Sequence, residues 1–288
     1  MASIRDIKRR KESVSSTGQI TKAMKLVATV KLQKAREKAD RAKPYFRYMY
    51  QTVQSILSKK ENVHHPYLDG MKSKRKAVLL ITSNRGLAGG YNNNVAKLVL
   101  ENEEFDRTDT DIYTVGIKGR EIMKEKGYKV VQDYSEVMNE PLFSDAQHVG
   151  TTLLSQYEDG KVGEIYLAYT VFKNTVVQKP TLIKLLPVQK QAFADGEEQS
   201  AHASMTFEPS PEETLRLIIP KYINSMIYGA LMESLASENG ARMSAMDSAT
   251  NNANELIGKL SLQYNRARQG NITQELTEIV AGADAISS

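Results

Sequence analysis

Residues 4–32 read IRDIKRRKESVSSTGQITKAMKLVATVKL, and positions spaced alternately three and four residues apart form one seam through this stretch. The same spacing continues without a break to residue 56: Ile4, Ile7, Lys11, Val14, Gly18, Thr21, Lys25, Ala28, Leu32, Ala35, Ala39, Ala42, Phe46, Met49, Val53 and Ile56. A period of 3.5 residues is typical of a left-handed coiled coil, in which the seam stays against a partner helix. The sequence therefore predicts one long N-terminal helix, kinked but not ended by Pro44.

The partner helix is predicted within the same chain, over residues 211–286. Ser210, Pro211 and Glu213 fit the N-cap, first-turn and capping-box positions of its start. Pro220 is expected to kink this helix or to split off its first two turns. The predicted seam consists of small residues followed by an apolar face: Ala230, Ser234, Ser237, Ala241, Ser244, Ser248, Ala249, Ala253, Leu256, Leu260, Tyr264 and Ala267.

The surface of the second helix is unusual for an independent coil. Residues 229–269 are rich in Ser, Asn, Ala and Gly, so two such helices would bury little apolar area. The end of the helix then becomes apolar again, at Leu276, Ile279, Val280, Ala283 and Ile286. This pattern predicts a helix that sits inside a larger assembly, with its tip in an apolar socket.

Between the two helices, strand and helix patterns alternate. Strands are predicted at 77–82, 111–117, 128–132, 164–172 and 181–186, and helices at 92–101, 119–126 and 144–158. This alternation indicates an α/β fold with a small doubly wound, Rossmann-like central domain. We expect four segments: an N-terminal coiled-coil helix (1–58), a linker (59–76), a globular α/β domain (77–209) and a C-terminal coiled-coil helix (210–288).

Composition excludes several classes of protein. The 288 residues contain no cysteine and four histidines, which excludes disulfides and thiolate chemistry and leaves little for zinc. Neither a secretory signal nor an apolar stretch long enough to span a bilayer is visible in the sequence. Residues 1–76 carry 20 Lys/Arg against 6 Asp/Glu, whereas both later parts of the chain are acidic. The basic helix therefore predicts an acidic partner, which could be protein, nucleic acid or lipid.

Two motifs could carry chemistry. Ser83-Asn-Arg-Gly-Leu-Ala-Gly-Gly-Tyr-Asn92 follows the first strand, and its Gly86, Gly89 and Gly90 could turn backbone N–H groups towards a phosphate. The order matches neither a dinucleotide fingerprint nor a P-loop, so a tight turn is the preferred interpretation and a nucleotide-dependent enzyme the alternative. Residues 8–11 (KRRK) form a solvated face, a protein-docking patch or, least favoured, a nucleic-acid contact.

Several stretches together resemble the gamma subunit of F-type ATP synthases of bacteria. They are Gln19-Ile-Thr-Lys-Ala-Met-Lys-Leu-Val-Ala28, Asn84-Arg-Gly-Leu-Ala-Gly-Gly-Tyr-Asn92, Ala236-Ser-Glu-Asn-Gly-Ala-Arg-Met243, Tyr264-Asn-Arg-Ala-Arg-Gln269 and Ile272-Thr-Gln-Glu-Leu-Thr-Glu-Ile279. The resemblance covers the whole chain. It implies a central rotor shaft that turns inside three alpha and three beta subunits and couples proton flow to ATP synthesis or hydrolysis on beta.

The resemblance also implies partners and sites. The partners are alpha, beta, epsilon and the ring of c subunits, at the cytoplasmic face of the cell membrane, and not nucleic acid. This chain would hold no cofactor and catalyse nothing, because Mg-ATP and Mg-ADP bind to alpha and beta. By position in the matched motifs, the residues that meet the beta subunits are Met24, Arg242, Arg268, Gln269 and Thr273. Arg85 and Glu208 are expected to contact epsilon or the c ring.

Overall fold

The computed structural model describes residues 3–58, 65–188 and 211–287. Within these ranges the helices are α1 (Ile4–Ser58), α2 (Pro66–Asp69), α3 (Tyr91–Leu100), α4 (Ile117–Glu125), α5 (Phe143–Glu158) and α6 (Pro211–Ser287), with a 3-10 turn at Ser135–Asn139. The strands are β1 (Lys76–Ile81), β2 (Thr110–Val115), β3 (Lys129–Asp133), β4 (Glu164–Phe172) and β5 (Gln178–Leu186). Ser210, the expected N-cap of the second helix, lies outside the described residues.

The five strands form one sheet in the order β3-β2-β1-β4-β5. The first four are parallel, and β5 adds an antiparallel edge beside β4. Alternate residues of β1 point to opposite faces: Leu79 joins a core with α5 and α6, and Leu80 joins a core with α3 and α4. The sheet is therefore covered on both faces, which confirms the predicted doubly wound fold.

The chain divides into two compact units, and each long helix runs through both. The coil unit consists of residues 1–27 and 243–288, and the α/β unit consists of residues 28–242. No helix in the described ranges carries an apolar stretch long enough to cross a membrane.

In the coil unit, α1 and α6 pair in an antiparallel coiled coil. Their register is fixed by three pairs: Gly18 with Ala253, Thr21 with Thr250 and Lys25 with Asp247. A Cβ added at Gly18 would lie 3.3 Å from the Cβ of Ala253, so the two backbones approach closely at this position. The Thr21 and Thr250 hydroxyls lie 2.8 Å apart, and Lys25 Nζ is 2.6 Å from Asp247 Oδ1.

Two sequence predictions for the second helix are only partly correct. Pro220 does not split it, because α6 is continuous from Pro211 to Ser287, and the alternative, a kink at Pro220, stays a prediction. The predicted seam is partly borne out beyond residue 242, where its members Ala253 and Leu260 are buried but Ser244, Ser248 and Leu256 are exposed. Met246, which the predicted seam did not include, is buried one heptad before Ala253. The small residues nearer the start of the helix, including Ser234 and Ser237, contact the end of β4 instead. Their spacing therefore reflects a second contact surface, between α6 and the sheet.

Candidate functional site

The glycine loop (residues 83–90) lies at the carboxyl end of β1. Ser83 N–H donates to Asn92 Oδ1 at 2.9 Å, and Ser83 Oγ donates to the Arg85 carbonyl at 2.7 Å. Asn84 bridges two further segments, because its Nδ2 donates to the Ser135 carbonyl and its Oδ1 accepts from Ile117 N–H. Hydrogen bonds therefore fix the first half of the loop.

The strand order reverses between β1 and β4, where doubly wound proteins usually bind ligands. In this chain a stretch of α6, the docking segment (residues 234–242), occupies that position. Ser237 Oγ donates to the Thr170 carbonyl at 3.1 Å, and Ser234 Oγ accepts from Thr170 N–H at 3.4 Å. Tyr91 OH donates to the Ser234 carbonyl at 3.2 Å, and burial raises the pKa of this tyrosine. The crevice is thus filled by the chain's own helix.

Arg242 ends the docking segment and is bound on both sides. Its Nη1 donates to Glu238 Oε1 at 2.6 Å, one helical turn earlier. Its Nη2 donates to the carbonyls of Arg85 and Gly86, at 3.2 Å and 3.3 Å. The side chains of Arg242 and Glu238 are only 12% and 10% exposed. Burial raises the pKa of Glu238, while the Arg242 guanidinium opposes that rise.

Leu87 stands at the centre of the glycine loop in a conformation that leucine rarely adopts. Its φ is +62°, and it is the only non-glycine residue with a positive φ in the described ranges. Such a conformation costs about 1–2 kcal/mol for a residue with a Cβ. The residue is 64% exposed, so burial within the chain does not offset that strain.

The far end of α6 has the opposite character. At the coiled-coil register, the start of α1 lies level with about residue 267, and every residue of α6 from 268 to 283 is exposed. Arg268 and Gln269 lie at this transition, and Thr273 Oγ1 donates to the Gln269 carbonyl at 2.9 Å. Ile272, Leu276, Ile279 and Val280 leave an exposed apolar stripe.

The structure groups the predicted site residues unevenly. Arg85 and Arg242 come together in the α/β unit, whereas Arg268, Gln269 and Thr273 cluster on α6 in the coil unit. Met24 is half-buried on α1 in the coil unit, next to the ion-paired Lys25. Glu208 lies outside the described residues.

Sequence reasoning did not single out Glu238 or Tyr91 as contact residues, and it assigned Ser234 and Ser237 to a seam against the first helix rather than to a contact with β4. The i, i+4 spacing of Glu238 and Arg242 was a visible signal for an ion pair on one helix face. In the described ranges, no group of three or more His, Asp or Glu side chains is placed to hold a metal ion.

Comparisons with known proteins agree along the whole chain. A family model described as ATP synthase matches residues 3–286. The ATP synthase gamma chain of Lachnoclostridium phytofermentans is 61% identical over the full length of both chains. A relative from Acetobacterium woodii, named ATP synthase gamma chain, sodium ion specific, is 42% identical over 99% of each chain.

A solved structure shares the fold. It is the rotor of the Euglena gracilis mitochondrial ATP synthase, which superposes with a TM-score of 0.68 at 19% identity and covers 93% of this chain and 98% of that one. With the antiparallel coil, the doubly wound sheet and the full-length identity to curated relatives established, the chain belongs to the ATP synthase gamma chain family.

Proposed function

We propose that this chain is the non-catalytic central shaft of an F-type ATP synthase. It turns within three alpha and three beta subunits and is joined to epsilon and the c ring at the cytoplasmic face of the membrane. Full-length identity to chains named ATP synthase gamma chain carries this proposal. The exposed end of α6 supports it, since a helix that is solvent-exposed throughout residues 268–283 suits insertion into a surrounding assembly.

The contacts at the strand-order reversal support a non-catalytic role. A nucleotide bound there would have to displace Ser234, Ser237 and Arg242 from their hydrogen bonds to Thr170 and the glycine loop. Nucleotide chemistry is therefore assigned to the partner subunits, which hold Mg-ATP and Mg-ADP. Calorimetry of the isolated chain with ATP or NAD tests this assignment, and micromolar binding would favour the alternative of a nucleotide-dependent enzyme.

The shaft acts by touching the surrounding subunits unequally. Only a difference in contact energy between two conformations can shift their populations, and moving a subunit from 1:99 to 99:1 requires about 5.5 kcal/mol. The charges of this chain are unevenly distributed, because 20 of its 39 Lys and Arg residues lie in positions 1–76, and most of those 20 lie on α1, one of the two long helices. Rotation of such a shaft presents a different face to each beta subunit in turn.

Arg268 and Gln269 are the proposed residues that grip beta, with Met24 and Thr273 as further contacts. Arg242, which the resemblance placed in the same set, has a side chain that is 12% exposed and bound to Glu238 and the glycine loop, so we propose that it acts on beta through the loop. Arg268 and Gln269 lie exposed where α6 passes beyond α1, so their donors are available to acidic loops. Met24 offers a flexible apolar side chain that can slide past a changing surface. Arg85 and Glu208 are proposed contacts to epsilon or the c ring.

The decisive experiment measures coupling in vesicles that contain the whole complex. We expect Arg268→Ala with Gln269→Ala to leave assembly intact and to lower ATP-driven proton pumping severalfold relative to hydrolysis, because hydrogen bonds to charged groups contribute about 1.5–3 kcal/mol each. Asn251→Ala with Asn252→Ala is the matched control, since both residues are exposed on the same helix. Unchanged assembly, hydrolysis and pumping in the first pair would overturn the site assignment.

Two further measurements test the proposed partners and the coupling ion. A pull-down with and without nuclease should recover alpha, beta and epsilon; nucleic acid recovered without them would favour a nucleic-acid-binding coil. Pumping is measured with proton and with sodium gradients, because a 42% identical relative is named sodium ion specific. We propose the proton as the coupling ion.

A further inference from the structure

We propose that Arg242 is a positioning residue that fixes the glycine loop to α6, so that the loop and the helix move as one body. The contacts that carry the proposal lie within the α/β unit, and only its expected effect on coupling rests on the proposed rotor function. Its guanidinium bridges the Glu238 carboxylate and two loop carbonyls, those of Arg85 and Gly86.

The bridge uses the geometry of arginine. One nitrogen, Nη1, is committed to Glu238, and the other, Nη2, reaches both carbonyls. A planar guanidinium can do this from a fixed position, whereas a lysine ammonium on a flexible stem acts as a point charge. The pair is also nearly buried, so water is a poor alternative partner for either charge.

The loop needs such a constraint because its conformation is strained. Leu87 is held at φ +62° with an exposed side chain, and nothing in its own burial favours that conformation. The carbonyls held by Arg242 immediately precede Leu87, and Ser83 Oγ holds the Arg85 carbonyl from the other side. Arg242 therefore sets the position of Leu87 relative to α6.

The same segment is also anchored on the β4 side of the crevice. Ser234 and Ser237 bond to Thr170, and Gly240 packs so closely on Phe172 that an added Cβ would lie 3.1 Å from its ring. The docking segment is thus anchored at the end of β4, and its last residue, Arg242, extends the link to the glycine loop that follows β1.

Hydrogen exchange of the full chain tests the tie. The probes are the amides of Ser83 and Tyr91, which bond to Asn92 and to the Ala88 carbonyl. In Arg242→Lys we expect these amides to exchange about 10-fold faster or more, a change of about 1.4 kcal/mol in local opening. Amides of β1 and β2 should stay protected, which shows that the variant folds. Arg266→Lys is the matched control, because it makes the same change at an exposed arginine of the same helix; its loop amides should exchange as in the parent chain.

Coupling in vesicles then separates this proposal from the rotor function. With faster loop exchange, a lower ratio of pumping to hydrolysis in Arg242→Lys supports both the tie and its role in the rotor. Faster exchange with unchanged coupling supports the tie and overturns that role. Unchanged exchange with lost coupling overturns the proposal and makes Arg242 a direct contact of the surrounding subunits. Unchanged exchange and unchanged coupling overturn the proposal as well.

Discussion

Two ion pairs of equal length occupy different surroundings in this molecule. Arg242–Glu238 in the α/β unit and Lys25–Asp247 in the coil unit both measure 2.6 Å. The first pair is 12% and 10% exposed, and the second is 39% and 48% exposed. Burial removes water as an alternative partner, so the loss of one member leaves a stranded charge only in the first pair. Distance alone therefore does not reveal which pair holds the structure together.

The largest expected effect comes from breaking the buried pair. Arg242→Ala should lower the free energy of unfolding of the α/β unit by about 3–5 kcal/mol, because Glu238 is left buried and unpaired. Lys25→Ala should lower that of the coil unit by no more than about 1 kcal/mol. Urea unfolding measures both losses: near-ultraviolet circular dichroism follows the α/β unit, which holds every tyrosine except Tyr264, and far-ultraviolet circular dichroism also detects the helices of the coil unit. Equal losses in the two variants would show that burial does not distinguish the pairs.

Glycine substitutions extend the comparison to packing. Gly240→Val should destabilise the chain by about 1–3 kcal/mol, because its side chain must displace the Phe172 ring from a 3.1 Å approach. Gly270→Ala should instead stabilise α6 by up to about 1 kcal/mol. The added Cβ would meet no atom within 4 Å, and alanine has a higher helix propensity than glycine. Thermal unfolding of both variants measures this. A stabilising Gly240→Val would mean that the docking segment is not close-packed.

A smaller effect appears in the pH dependence of stability. Burial raises the pKa of Glu238 in the folded chain, although Arg242, Lys31 and Arg85 oppose this. As the pH rises, the Glu238 carboxyl therefore loses its proton in the unfolded chain before it does so in the folded chain. The free energy of unfolding thus falls as the pH rises from about 4.5, the ordinary pKa of this group, through its raised pKa in the folded chain. Glu238→Gln removes that fall, so its stability relative to the parent chain should improve as the pH rises.

Glu255→Gln is the matched control for this measurement. A hydrogen bond from Lys259 lowers the pKa of the exposed Glu255 carboxyl. The ionised Glu255 therefore stabilises the folded chain above the ordinary pKa of the group, and this stabilisation is lost as the pH falls through the lowered pKa. The relative stability of Glu255→Gln should thus decline as the pH rises. Urea unfolding at several pH values measures both slopes, and slopes of the same sign would contradict the difference in environment.

The smallest effect is the coupling between the exposed partners. A double-mutant cycle with Lys25→Ala and Asp247→Ala should give an interaction free energy of about 0.2–1 kcal/mol. It should shrink in about 1 M salt, where the Debye length is about 3 Å. A coupling as large as that of the buried pair, or one that salt does not change, would place Lys25–Asp247 in the same class as Arg242–Glu238.

The sequence predicted most of the fold because periodicity reports which faces are buried. The seam of α1 was confirmed, with Gly18, Thr21, Ala28, Leu32 and Ala35 all buried. The seam of α6 was only partly correct, because small residues are compatible with more than one partner. Spacing alone could not tell a stripe that meets a helix from one that meets the end of a strand.

The sequence by itself determined the two long helices, the doubly wound sheet and the family, because these follow from repeated local patterns and from matched motifs. Only the tertiary structure decided that Arg242 faces inward and that Arg268 stays exposed. Both are arginines on one helix, but residues far away in the chain make their surroundings different. The Arg85 and Gly86 carbonyls accept hydrogen bonds from Arg242, whereas Arg268 lies just beyond the stretch of α6 that pairs with α1. Long-range contacts of this kind leave no periodic signal, so they become visible only when the chain is folded.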